Sequence, residues 1–233
     1  MLEVRNLYAK YGRAEILSDV TFEVGAGEVG ALLGRNGAGK TTTFRSTMQL
    51  LRPTAGEVVF DGESLIGRRP FEICRRGLGY VPEDRRIFTD LSVAENLDVA
   101  RQPPREGAPS WTPEQMFDLF PNLKERYRNS AKALSGGEQQ MLTVARTLMG
   151  NPRAILLDEP SEGLAPVIVE QMARAILELK AEGVTILLSE QNLHFAELVA
   201  DRAIIIEKGR IRYVGTMKDA LADENIRTAY LMV

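Results

Sequence analysis

Apolar runs of strand length alternate with polar, glycine-bearing turns in the first third of the chain, and helical spacing takes over in the middle. Leu2 to Tyr11 and Ile16 to Val24 read as two strands joined by a polar turn around Gly12-Arg13. Val29 to Leu33 is a third apolar run, weakened as a strand by Gly30. Phe44, Met48 and Leu51 then recur at i, i+4 and i+7, one face of a helix that Pro53 stops. Glu57 to Phe60, closed by Asp61-Gly62, reads as a short strand, residues 71–76 as helical, and Gly77 to Val81 as strand again before Pro82. From Val93 to about Gly150 the strand-like runs disappear. Ser92 with Glu95 forms a capping box, Pro103 to Pro113 is a connector rich in Pro, Gly and Ser, and a helix is predicted from Pro113 to Phe120. Beyond the apolar Ala154 to Leu157, Pro166 opens a helix carrying Ile168, Met172, Ile176 and Leu179, which Gly183 ends. Val184 to Leu188 is a strand, and Ala203 to Ile206 with Ile211 to Val214 predicts a closing hairpin. The order predicts one α/β domain over residues 1–233, with a core part at 1–88, a helical insertion at about 89–150 and a core continuation at 151–233.

Three stretches within this pattern carry chemistry. Gly34-Arg35-Asn36-Gly37-Ala38-Gly39-Lys40-Thr41 fits the P-loop pattern, in which a glycine-rich turn aims backbone N–H groups at nucleotide phosphates. Lys40 adds a point charge, the Thr41 hydroxyl is a Mg²⁺ ligand, and the helix directs its N-terminal dipole at the anion. The strand before and the helix after are the context that motif requires. Leu134-Ser135-Gly136-Gly137-Glu138 combines a capping box with two glycines that leave helix-start N–H groups free for a phosphate. Asp158-Glu159 ends an apolar strand, where acids project toward a ligand at the sheet edge; Asp158 suits a Mg²⁺ role and Glu159 the attacking water. Tyr11 reads equally as an adenine-stacking aromatic or a half-buried strand residue.

Composition narrows the classes. A net charge of −3 offers no basic field, so nucleic acid is not an expected partner. The single cysteine, Cys74, excludes an internal disulfide framework or a multi-Cys metal site and is expected to be a small buried residue. His194, the only histidine, is expected to be structural. No apolar run approaches the ~18–20 residues of a membrane span, and the N-terminus has no signal-peptide character, so a cytoplasmic protein is expected. Gly25-Ala26-Gly27-Glu28-Val29-Gly30 matches the dinucleotide fingerprint but leads into a strand rather than a helix, and is set aside.

Together the P-loop, the LSGGEQQ stretch and the Asp158-Glu159 strand, in that order over nearly the whole chain, resemble the ATP-binding subunit of an ABC transporter. The resemblance implies a RecA-like P-loop NTPase core with an antiparallel β subdomain and a helical insertion, binding ATP and Mg²⁺. It implies ATP contacts from Tyr11, Gly34, Asn36, Gly37, Ala38, Gly39, Lys40, Thr41 and Thr42, with Ser135, Gly136 and Gly137 reaching the nucleotide of a second copy facing head to tail. Glu159, Gln191 and Glu83 take the catalytic positions, and Thr41, Asp158 and Glu83 those around the metal. The implied partners are an identical or related ATPase, two membrane permease subunits and, indirectly, a substrate-binding protein, at the cytoplasmic face of the membrane. The stretches 34–43, 80–88, Leu119-Phe120-Pro121 and 161–166 are further similar to the ATPase of branched-chain amino acid importers and of urea importers.

Three positions depart from the wider superfamily: Gln191 stands for a histidine, Glu83 for a glutamine and Ala165 for an aspartate. Gln191 can hydrogen-bond a phosphate or water but cannot carry a proton as imidazolium. Other readings stay open at this point: a lipopolysaccharide exporter ATPase, or an ATP-gated dimerising module with little turnover. A soluble ABC protein of translation or DNA repair would need tandem units or a long coiled coil.

Overall fold

The computed structural model describes residues 1–231. Strands β1 (Leu2–Tyr11) and β2 (Ala14–Val24) lead to β3 (Val29–Leu33) and, through the glycine-rich loop, to helix α1 (Lys40–Thr47). Next come β4 (Ala55–Phe60), β5 (Glu63–Ser64), α2 (Pro70–Arg75) and β6 (Leu78–Val81). Four helices follow before the next strand: α3 (Val93–Val99), α4 (Pro113–Leu119), α5 (Pro121–Glu125) and α6 (Gly136–Leu148). The chain then alternates through β7 (Ala154–Asp158), α7 (Pro166–Ala181), β8 (Thr185–Glu190) and α8 (Leu193–Val199), and ends on the hairpin β9 (Arg202–Glu207)–β10 (Arg210–Thr216) with α9 (Met217–Ala222) and α10 (Glu224–Ile226).

The strands form two sheets. One is antiparallel, in the order β2-β1-β4-β5; the other runs β10-β9-β3-β8-β7-β6 and is parallel except for the β9–β10 edge. Every residue of β3, β7 and β8 is buried, as expected of parallel strands covered on both faces. Period-2 alternation persists inside these apolar runs. Ile155 and Leu157 join the core beneath the helices with Ala31, Leu33 and Leu188, whereas Ala154 and Leu156 join the core shared with the antiparallel sheet, with Leu32 and Leu187. Gly30 belongs to this arrangement, since a Cβ there would lie 3.0 Å from the Val24 side chain. The glycine that weakens the strand by propensity is what lets the two sheets approach.

Helix α1 stops one turn earlier than the spacing predicts. Gln49 is left-handed (φ +55°), and the N–H groups of Leu50 and Leu51 both return to the Arg45 carbonyl at 2.8 and 3.0 Å, so the helix closes before Pro53. The connector ahead of α4 is pinned by buried Asn151, whose amide donates to the Gln102 and Pro103 carbonyls (2.9 and 3.1 Å) and accepts the Trp111 N–H (2.8 Å). Asn96 fixes the end of the 83–88 loop, exchanging hydrogen bonds with the Phe88 backbone N–H and carbonyl, both at 3.0 Å. Cys74, expected in the interior, is exposed on α2, because Ile73 is the residue that helix turns inward.

Candidate active site

Parallel strands β6, β7, β8 and β3 deliver their C-terminal ends to one edge of the sheet, and the chemistry-bearing residues collect there. Leu33 leads into the 34–39 loop, β7 ends on Asp158 and Glu159, β8 on Glu190 and Gln191, and β6 on the segment carrying Glu83. The loop needs its glycines sterically. A Cβ at Gly34 would lie 2.5 Å from the Ile206 carbonyl, and Gly39, the residue ahead of α1, has φ +114° and would crowd Leu17 at 2.9 Å. No side chain caps the start of α1, so its first N–H groups face the cleft without a protein partner of that kind.

Lys40 is buried at the centre. Its Nζ donates to the Gly34 carbonyl at 2.7 Å and the Arg35 carbonyl at 3.3 Å, and lies 3.0 Å from a Glu159 carboxylate oxygen. Glu159 itself is left-handed (φ +49°), held there because its N–H donates to both the carbonyl and the hydroxyl of Ser189 at 3.1 Å. Asp158 is wholly buried and accepts three hydroxyl hydrogen bonds, from Ser189 (2.6 Å), Thr41 (3.2 Å) and Tyr80 (3.2 Å). Burial pushes its carboxyl pKa up, against those three donors. Burial and the Asp158 charge likewise drive the Tyr80 phenol far above its ordinary range, so it stays a donor.

An open cleft of about 410 Å³ is lined by Tyr11, Ile16, Asn36, Gly37, Gly39, Lys40, Thr41, Thr42, Glu83, Glu159 and Glu162. Glu83 and Glu162 both have raised carboxyl pKa values, through burial first and then the neighbouring Glu159. Tyr11 is exposed at the rim, with the Arg45 guanidinium 6.0 Å from its ring. Thr41 and Asp158 are also brought together beside Glu83 in an adjoining cavity of about 300 Å³. Among the described residues no three His, Cys, Asp or Glu side chains converge to hold a metal unaided. A hydroxyl with one carboxylate suits Mg²⁺, which keeps several of its waters and shares phosphate oxygens.

Gln191 and the Ser135-Gly136-Gly137 segment do not line that cleft. Ser135 caps α6, accepting the Glu138 N–H at 3.3 Å while its own N–H donates to the Glu138 carboxylate at 2.7 Å. A Cβ at Gly136 would crowd the Arg85 guanidinium at 2.9 Å, and one at Gly137 the Ile168 side chain at 3.0 Å. His194 lies exposed on α8. Sequence reasoning overlooked the roles of Ser189 and Tyr80 around Asp158 and of Glu162 in the cleft. Ser189 stands opposite Asp158 in the β7–β8 register, a signal readable only once those strands are known to be neighbours.

Comparison with known proteins fits this geometry. Residues 17–162 match the family model described as ABC transporter. The chain is 41% identical over 231 residues to the high-affinity branched-chain amino acid transport ATP-binding protein BraG of Pseudomonas aeruginosa, covering 99% of each. It is 35% identical to the lipopolysaccharide export system ATP-binding protein LptB of Haemophilus influenzae, over 99% of this chain and 97% of that one. It is 32% identical to a probable branched-chain amino acid transport ATP-binding protein, LivF, of Archaeoglobus fulgidus, over 96% and 95%. Among solved structures, a nucleotide-free ATP-binding cassette from an ABC transporter superposes with a TM-score of 0.82 at 27% identity, covering 97% of this chain and 96% of that one. An ATP-binding cassette in its ADP conformation does so with 0.81 at 26%, over 98% and 97%. No helix among the described residues is long and apolar enough to cross a membrane.

Proposed function

The chain belongs to the ATP-binding subunits of ABC transporters, and from that premise we propose that it powers uptake of branched-chain amino acids through separate membrane subunits. Cassettes of this family hydrolyse ATP to drive transport. For the chemistry, the reading rests on the convergence of Lys40, Thr41, Asp158 and Glu159 at one sheet edge. For the cargo, it rests on 41% identity to BraG along essentially the full length of both chains.

In this reading the 34–39 loop and the start of α1 hold the phosphates through backbone N–H groups, and Lys40 exchanges its loop carbonyls and Glu159 for phosphate oxygens. Tyr11 stacks on the base. Thr41 and Asp158 would hold a Mg²⁺ ion, which would supply positive charge against the transferred phosphoryl group. Ser189 and Tyr80 keep the Asp158 carboxylate oriented for that role. Glu159 orients and deprotonates the attacking water, with Glu83 as a further polar group lining the cleft and Gln191 outside it, just past the end of β8. The N-terminal segment of α6, Ser135-Gly136-Gly137, completes the site of a second ATPase copy, identical or related, facing head to tail.

The subunit then works at the cytoplasmic face of the membrane, peripherally. Phe88, exposed and stacked beneath the Arg146 guanidinium at 5.0 Å, forms with Arg85 and Arg86 the surface offered to the permeases. A second reading, the ATPase of a lipopolysaccharide exporter, is favoured by the 35% identity to LptB over the same length. Affinity purification from native membranes in gentle detergent, with mass spectrometry of the co-purifying chains, separates the two. Two amino acid permease subunits and a related second ATPase are expected; lipopolysaccharide-export membrane subunits would overturn the importer reading.

A further inference from the structure

Glu190 carries the only carboxylate of β8 and is 1% exposed. One carboxylate oxygen accepts the Ser161 N–H at 3.0 Å, in the loop that follows Glu159. The other accepts the N–H groups of Gln191 and Asn192, each at 3.2 Å. The Glu190 backbone carbonyl accepts the N–H of Gly34 at 3.3 Å, the first residue of the phosphate loop. A single buried residue therefore meets three segments: the one that cradles phosphate, the one that carries Glu159, and the one that carries Gln191. Asn192 in turn caps α8 by accepting the Phe195 N–H at 3.1 Å, so the anchoring continues into a helix.

Packing alone does not call for this arrangement. A carboxylate at the end of a fully buried strand costs desolvation, and burial pushes the Glu190 pKa up even against its three N–H donors. Backbone N–H groups at a loop start can be satisfied by water or a neutral acceptor at less expense. What the carboxylate adds is geometry: two oxygens on one rigid plane fix the separation of two loops that the chain sets about thirty residues apart.

We propose that Glu190 is a positioning residue for hydrolysis, tying the Ser161 loop to Gln191 so that Glu159 and Gln191 hold one fixed relation at the phosphate end of the sheet. The proposal rests on the assignment of Glu159 as the residue that activates water. Glu190 is buried and does not line the cleft, so it acts through the backbone of both loops. Misplacing a reacting group by about 1 Å costs on the order of 10²-fold in rate, so releasing one of the two ties should slow turnover without weakening nucleotide binding.

Glu190→Gln tests this, because it preserves size and one acceptor oxygen but turns an N–H₂ toward backbone donors. In the full chain, kcat for ATP is expected to fall roughly 10- to 100-fold while the ATP Kd stays within about twofold. Glu190→Asp, which keeps both acceptors, should recover part of the loss. A kcat within about twofold of wild type, or a fall matched by equal loss of ATP binding, overturns the proposal. Amide hydrogen exchange on the wild-type chain needs no variant: the Ser161, Gln191 and Asn192 amides should be protected and open together, and free exchange at Ser161 would refute the tie. Glu159→Gln measured alongside separates the two claims. Full turnover in that variant removes the underlying assignment, whereas a dead Glu159→Gln with a fully active Glu190→Gln removes only the positioning role.

Discussion

Replacing Glu159 with glutamine removes one negative charge from the cleft and little else. The side chain keeps its length and one oxygen acceptor, and the left-handed backbone, held by Ser189, is unchanged in kind. Its carboxylate lies 3.0 Å from the Lys40 ammonium, with both side chains nearly shielded from water, at 3% and 9% exposure. At an effective dielectric constant near 20, a charge pair at that distance attracts by about 5 kcal/mol before desolvation is subtracted. Lys40 does not lose all its partners, because the Gly34 and Arg35 carbonyls still accept from it. The ligand-free cleft is therefore weakened by the substitution, whereas the nucleotide-bound cleft, in which phosphate takes over the ammonium, is not.

ATP should consequently bind Glu159→Gln at least as tightly as wild type. Hydrolysis should collapse, since a positioned general base contributes roughly 10²- to 10⁴-fold, or about 3–5 kcal/mol of barrier. Equilibrium titration with ATP and a single-turnover hydrolysis assay on the same preparation read the two quantities separately. Near-normal turnover would remove Glu159 from the chemistry, and a large loss of ATP affinity would show that its charge supports the bound state rather than competing with it.

Other expectations follow from the same geometry. Lys40→Ala strips the cleft of its buried cation and should weaken ATP binding and hydrolysis together; unchanged affinity in a titration would contradict its contact with phosphate. Reversing both charges, Arg85→Glu with Arg86→Glu, should abolish association with the membrane subunits in a detergent pull-down while leaving the ATP Kd intact, and a complex that survives would place the docking surface elsewhere. Asp158 and Glu190 have raised folded-state pKa values through burial. Their contribution to stability is full below the unfolded carboxylate values near ~4 and is lost as pH rises through the raised folded ones. Thermal melts of the nucleotide-free chain should therefore fall as pH rises above the unfolded carboxylate range, less steeply in Glu190→Gln; an identical slope in that variant would refute the contribution of Glu190.

What the sequence made legible is local. The phosphate loop announces itself because its glycines, lysine and threonine are contiguous and flanked by the strand and helix they need. Ser135 and Glu138 form the capping box their spacing specifies, and Pro166 opens α7 as read. What stayed hidden depends on strand order. Tyr80 reaches Asp158 from 78 residues away and Ser189 from 31, and only the sequence of neighbours β8-β7-β6 brings them to one carboxylate. The strand over Val29–Leu33 was legible despite Gly30, but the reason for the glycine was not, because propensity prices a residue alone whereas the opposing Val24 decides its fit. The end of α1 misled because a left-handed Gln49, with no glycine to mark it, closes the helix. The Ser135 segment does not line the cleft, and its proposed place at a second copy's nucleotide concerns two chains, which spacing within one chain does not encode.

The most direct test of the transport role is to reconstitute the complex that co-purifies with this subunit into proteoliposomes, supply ATP with Mg²⁺, and follow labelled leucine, isoleucine and valine together with phosphate release. Substrate accumulation that rises with ATP hydrolysis, and that disappears when the subunit carries Glu159→Gln, is the expected result. ATP hydrolysis with no movement of any of the three amino acids, in vesicles whose extraction of lipopolysaccharide depends on the same subunit, would contradict it.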